Sequence, residues 1–152
     1  CLLFGGGCQF LAGVMSLANK NLYGGTLFTA FAFNWVMNWW ILSSMAGGTM
    51  PDHAVLLSAD ICFLVIFAAM TYGFGFFSGL LFLFLLVIDL MYVLKIIAGF
   101  TGTAALALPI AALTVILGLL ALWIAFALLL NPVAGRRLFW FPGPVFAAPA
   151  PR

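Results

Sequence analysis

The chain contains no glutamate, and only three aspartates and five basic residues are spread over its 152 positions. A soluble domain draws roughly 25% of its residues from the charged set, whereas charged residues make up 5% here. So few charges cannot keep a globule in water. Histidine is scarce too: His53 stands alone, which leaves no histidine pair for a haem or a metal within the chain. Cys1, Cys8 and Cys62 fall at no metal-ligand or redox spacing. Cys8 and Cys62 lie in apolar runs and are expected to be small buried hydrophobes. Ser43, Ser44 and Ser58 have no histidine base arranged around them. Gly73 and Gly75 follow no strand and have no acidic partner, so they are no nucleotide fingerprint. No catalytic constellation emerges; neither enzyme activity nor a cofactor is expected. The net charge of +2 is too small to draw a nucleic acid.

What the chain does have is oil: 67% of its residues are hydrophobic. Such a chain belongs in a bilayer, where helices satisfy their own backbone polar groups. A spanning helix needs roughly 20 mostly apolar residues. Five stretches qualify, at about 1–19, 25–45, 61–77, 80–100 and 104–130. The expected fold class is an all-α membrane protein, a bundle of five transmembrane helices forming one domain over 1–130. Residues 131–152, with several prolines, are expected to form an irregular, partly disordered tail. The one sizeable loop is expected at 46–60, with Asp52 and His53 in a solvated turn. The chain opens at Cys1 already inside a hydrophobic run, which reads as a start lying further upstream.

Charge sets an expected orientation. Lys20, the turn at Ser78 and the tail with Arg136, Arg137 and Arg152 share one side; Asp52 and Asp60 share the other. The basic side, and with it the C-terminus, is expected in the cytoplasm of a multi-pass plasma-membrane protein. Trp39 and Trp40 then sit towards the opposite end of the second helix, as an aromatic belt would.

Polar and small residues inside the spans are the candidate functional groups. Gly5, Gln9 and Gly13 repeat every four residues in the first helix. Thr26, Ala30, Asn34 and Asn38 form a second such stripe, with Thr29 beside it. Unmet polar groups are costly in hydrocarbon, so these asparagines either hydrogen-bond between helices or line a pathway. Ala111, Thr114, Gly118, Ala121 and Ala125 share one face of the fifth helix, suited to close helix packing or to the wall of a narrow path. Asp89 is the sharpest feature: a carboxyl near mid-span, where insertion costs roughly 2.5–3.5 kcal/mol. Tyr92, three residues on, shares its face and is a candidate hydrogen-bond partner. Lys95, six residues on, points elsewhere and lies near enough to the interface to snorkel. Two roles stay open for Asp89: a protonated structural residue, or a proton- or substrate-linked group on a pathway.

The run Phe4-Gly5-Gly6, Gln9, Ala12-Gly13, Asn21, Tyr23-Gly24, Thr26, Phe28-Thr29, Phe31 and Trp35 resembles the acetate uptake transporter family. That family includes bacterial succinate–acetate permeases and fungal ammonia/acetate exporters. Gly118, Ala121, Asn131 and Gly135-Arg136 fall at intervals matching its C-terminal end. The resemblance is good over 4–35, fair over 80–137 and poor over 46–79. It implies six spans with both termini cytoplasmic, the five here being helices 2–6, and an upstream helix with an Asn-Pro-x-Pro-Leu-Gly signature. It further implies passage of acetate and related small monocarboxylates, often linked to protons, and a ring-like homo-oligomer such as a hexamer. The family's constriction would fall on Phe31 and Ile88, with Ala121 as a small residue lining the path. An apolar ring of that kind disfavours hydrated ions. Three positions depart from the family: its glutamate is replaced around Ser16, Phe31 lacks a tyrosine hydroxyl, and Asp89 stands where relatives have Thr or Ala. The competing functional class is a non-transporting membrane subunit or scaffold, whose small-residue faces would meet a partner and enclose no continuous path.

Overall fold

A computed structural model describes residues 1–147. Every regular element among them is helical, as the sequence predicts. The chain divides into two compact units, Cys1–Ile66 and the part from Phe67 onward.

In the first unit a π-helical turn, Leu2–Gly7, runs into α1, Cys8–Ala18. The three consecutive glycines explain the irregular start. The Trp35 ring lies so close to Gly5 that a Cβ there would meet it at 2.4 Å. Asn19-Lys20-Asn21 ends α1 as predicted, with Lys20 at φ 61°. The Asn21 side chain accepts the Gly24 amide at 2.9 Å and opens α2, Leu22–Ala46, the usual role of Asn at a helix N-terminus. Helices α1 and α2 pack on each other. A Cβ on Gly13 would stand 2.7 Å from the Thr29 methyl and 3.3 Å from the Gly25 carbonyl. Small residues at this crossing let the two backbones touch, the main source of helix attraction where lipid is as apolar as the side chains.

The expected loop over 46–60 shrinks to residues 47–52. Helix α3 begins at His53 and runs to Phe74. The Asp52 carboxylate accepts from the Ala54 and Val55 amides at 2.9 and 3.1 Å, satisfying donors that a helix start leaves open. Hydropathy placed the start where the oily run begins, but the cap places it eight residues earlier. Asp60 is therefore inside a helix, not in a loop. Gly48, in the short connection, has φ 78° and open space around it.

The second unit holds the rest of α3, then α4 (Gly79–Thr101), a 3₁₀ turn (Ala104–Leu106) and α5 (Ala107–Ala134). Ser78 caps α4 by accepting the Leu80 amide at 3.2 Å. Gly102, at φ 65°, closes it, as left-handed glycines commonly do. Pro109 falls in the first turn of α5, where its missing amide costs nothing. Phe67, Leu85, Ile88 and Tyr92 form the core of this unit, each at most 2% exposed.

The described part of the tail is irregular, as the sequence predicts. Among the described residues it has no helix or strand after Ala134, and bonds tie it down between residues 131 and 146. The Asn131 side chain accepts from the Leu138 and Phe139 amides and donates to the Phe139 carbonyl. Trp123 Nε1 donates to the Trp140 carbonyl, and Ser78 Oγ to that of Pro142, both at 2.9 Å. The Gly79 amide donates to the Gly143 carbonyl, and the Val145 and Phe146 amides both donate to that of Gly75. The Phe146 ring completes the clasp against Tyr72, Phe76 and Phe82. The tail and the α3–α4 turn thus lie at the same end of this unit. Arg152, part of the charge reading, lies outside the described residues.

Three helical stretches, His53–Phe74, Gly79–Thr101 and Ala104–Ala134, are long and apolar enough to cross a membrane. Leu2–Ala18 is shorter than that, and α2 is long enough but diluted by Thr26, Thr29, Asn34, Asn38, Ser43 and Ser44. Only 17%, 22% and 11% of the three apolar windows is buried inside the chain. The rest of that apolar surface far exceeds what a water-soluble monomer leaves bare. Cys62 is part of it, and Cys8 lies on the surface of α1: both are exposed, not buried as their apolar neighbours suggested. In a membrane helix an oily neighbourhood in sequence does not imply a protein interior.

Candidate functional site

The candidate residues fall into two groups, one in each unit. In the first unit, Thr29 Oγ1 donates within its own helix, to the Gly25 and Thr26 carbonyls at 2.9 Å, while its methyl rests over Gly13. Its hydroxyl is therefore satisfied locally. Asn34 and Asn38, one turn apart, meet each other: Asn38 Nδ2 donates to Asn34 Oδ1 at 2.6 Å and to the Asn34 carbonyl at 3.0 Å. The pair solves along one helix the problem that sequence reasoning assigned to a neighbouring helix or a pathway. Phe31 is half-buried on the same helix. Gln9 differs from all of these, because its Oε1 is buried and has no hydrogen-bond partner. An acceptor left bare in this way needs a reason.

The concave feature of this unit is an apolar groove of about 450 Å³ lined by Ala30, Phe33, Val36, Met37, Ala59, Cys62, Phe63 and Ile66. Apart from the weakly donating Cys62 thiol, those side chains offer no hydrogen bond to a carboxylate.

In the second unit Ile88, Asp89 and Tyr92 lie within about one turn of α4. Ile88 and Tyr92 share a face and are 1% and 2% exposed. Tyr92 packs its ring 5.7 Å from that of Phe67, and the Lys95 ammonium lies 4.8 Å above it, a cation–π contact that a lysine in an apolar setting can use. The partner of Asp89 is not Tyr92. Thr71, buried on α3, places its hydroxyl 2.6 Å from Asp89 Oδ2 and 2.9 Å from the Phe67 carbonyl. The other carboxyl oxygen, Oδ1, is buried and unpartnered. Sequence reasoning missed Thr71. Its only signal was a lone hydroxyl in an apolar run, Ala68-Ala69-Met70-Thr71, with no spacing rule to join it to Asp89 eighteen residues on. Gly118 and Ala121 lie on a face of α5 that is exposed on this chain, with nothing within 4 Å of where a Gly118 Cβ would be.

The helical architecture and the three long apolar helices define a multi-pass membrane protein of the all-α bundle class. No family model and no curated protein matches the sequence. Among solved structures, the chain is similar to the bacterial acetate channel SatP, with a TM-score of 0.85 and 24% identity over 92% of this chain and 78% of that one. Its fold is the fold of that channel.

Proposed function

We propose that this protein is a membrane channel or transporter for acetate and related small monocarboxylates. The observation that carries the reading is the fold shared with SatP over nearly the whole chain. The motif resemblance in α1 and α2 supports it independently, since it was read from residues and not from shape. In this reading the five helices correspond to helices 2–6 of a six-helix transporter, in a plasma membrane with the C-terminus cytoplasmic. Passage is proton-linked, and the working unit is a homo-oligomer such as a hexamer. Phe31 and Ile88 narrow the path, and an apolar narrowing admits a small acid while rejecting hydrated ions. Gln9, Thr29, Asn34, Asn38, Asp89, Tyr92, Gly118 and Ala121 complete the candidate pathway. Gln9 and Asp89 have the strongest claim among them, because each keeps a bare buried oxygen, whereas the Thr29 hydroxyl and the Asn38 amide find acceptors in their own helix.

The test is uptake of labelled acetate by the full-length protein across a pH series, with Asp89→Asn in parallel. Uptake that saturates with acetate and varies with pH is the expected result. No uptake at any pH would sink the transport reading in favour of a non-transporting subunit. A pH dependence unchanged in Asp89→Asn would remove that residue from proton linkage.

A further inference from the structure

A threonine hydroxyl has one proton to donate. Thr71 Oγ1 nevertheless sits at hydrogen-bond distance from two oxygens, Asp89 Oδ2 at 2.6 Å and the Phe67 carbonyl at 2.9 Å. If Asp89 is ionised, both are pure acceptors and one hydrogen is shared between them, as Thr29 shares its own between the Gly25 and Thr26 carbonyls. If Asp89 carries a proton on Oδ2, both are filled: Asp89 donates to Thr71, and Thr71 donates to Phe67. The 2.6 Å separation suits a carboxylic acid donating to the hydroxyl as well as a hydroxyl donating to a carboxylate, so the balance is set by the other oxygen. That oxygen, Oδ1, is orphaned. A full carboxylate with one oxygen buried and unmatched is far costlier than a neutral carbonyl oxygen in the same place.

We propose that Thr71 and Asp89 form a proton-holding pair, in which Thr71 is the positioning residue and Asp89 is held within its apolar helix as a neutral acid. The chain runs from Asp89 Oδ2–H to Thr71 Oγ1 and from Thr71 Oγ1–H to the Phe67 carbonyl. When the proton leaves to water, a carboxylate remains and the Thr71 hydroxyl turns from Phe67 to Oδ2. The titratable neighbours in this unit are few. Tyr92 and Lys95 share α4 with Asp89, Tyr72 is the one such group on α3 from Phe67 onward, and α5 has none. Resting on the transport reading, the functional consequence is that a neutral Asp89 sets no fixed anion against a passing carboxylate, whereas an ionised one repels it. Loss of this proton would close the path on the alkaline side.

The protein has only three carboxylic side chains, Asp52, Asp60 and Asp89, so infrared spectroscopy of the full-length protein in phosphatidylcholine vesicles can read the proton directly. A protonated-carboxyl band is expected at neutral pH, absent in Asp89→Asn, shifted in frequency in Thr71→Val and returned to its place in Thr71→Ser. The pH at which acetate uptake falls should move in Thr71→Val and return in Thr71→Ser. A neutral-pH spectrum unaltered by Asp89→Asn would overturn the proposal, and a band unmoved by Thr71→Val would strip Thr71 of its role. The band is read whether or not acetate moves, so its presence without uptake would count against the transport reading alone.

Discussion

The Phe146 ring is seated directly on Gly75, so closely that a Cβ at residue 75 would lie 2.3 Å from the ring. The same glycine's carbonyl accepts the amides of Val145 and Phe146. One residue at the α3–α4 turn therefore holds the tail both by backbone and by the space it leaves empty. Gly75→Ala should force the ring out, at a cost of about 1–3 kcal/mol, typical of overpacking. A lowered apparent Tm in detergent, with the Val145 and Phe146 amides exchanging faster with deuterium, is the expected result.

Asn131 closes the other end of the clasp with three hydrogen bonds to Leu138 and Phe139. Asn131→Ala should cost about 1–3 kcal/mol, because it strips partners from backbone groups. Asn131→Asp keeps the two accepting bonds but sets a carboxylate oxygen against the Phe139 carbonyl in place of a donor, so it too should lower the unfolding temperature, and less so at acid pH where the carboxyl is protonated.

Gly13 should be intolerant of bulk. Its absent side chain is what lets α1 meet the Thr29 methyl and the Gly25 carbonyl. Gly13→Val should separate the α1–α2 pair and cost at least about 1–3 kcal/mol. Disulfide trapping between cysteines introduced across that crossing would report the separation as a lower yield.

Asn38 offers the contrasting case. Among the described residues its side chain bonds only to Asn34, one turn back on the same helix. Replacing it with leucine should change stability by only about 0.6 kcal/mol, the average for side-chain hydrogen bonds within membranes. A large loss of acetate uptake with an unchanged Tm would then place Asn38 on the pathway.

Much of the fold was legible because lipid imposes simple rules. The polar break at Asn19-Lys20-Asn21, the serine at 78 and the glycine at 102 mark helix ends by local chemistry, and the structure ends its helices there. Hydropathy alone cannot mark the start of α3, because Asp52 looks like a loop charge in sequence while a carboxylate just before an apolar run is also a cap. For the tail, prolines and aperiodicity signal the lack of regular structure and nothing about contacts. What fixes it are side-chain bonds from Asn131 and Ser78, which have no signature in spacing. The candidate site was the least legible part. Asp89 announced itself as a charge in an oily run, but Thr71 is brought to it by the packing of α3 on α4, and the Asn34–Asn38 pairing depends on rotamers.

The capped start of α3 leaves only residues 47–52 to join α2 to α3, a reach of at most about 21 Å when fully extended. No mouth-covering flap can be made from so short a tether. Gly48 at its crest, exposed and with open space around it, is instead a natural place to insert a short epitope. An antibody applied to intact cells would then reveal which face of the membrane that hairpin occupies.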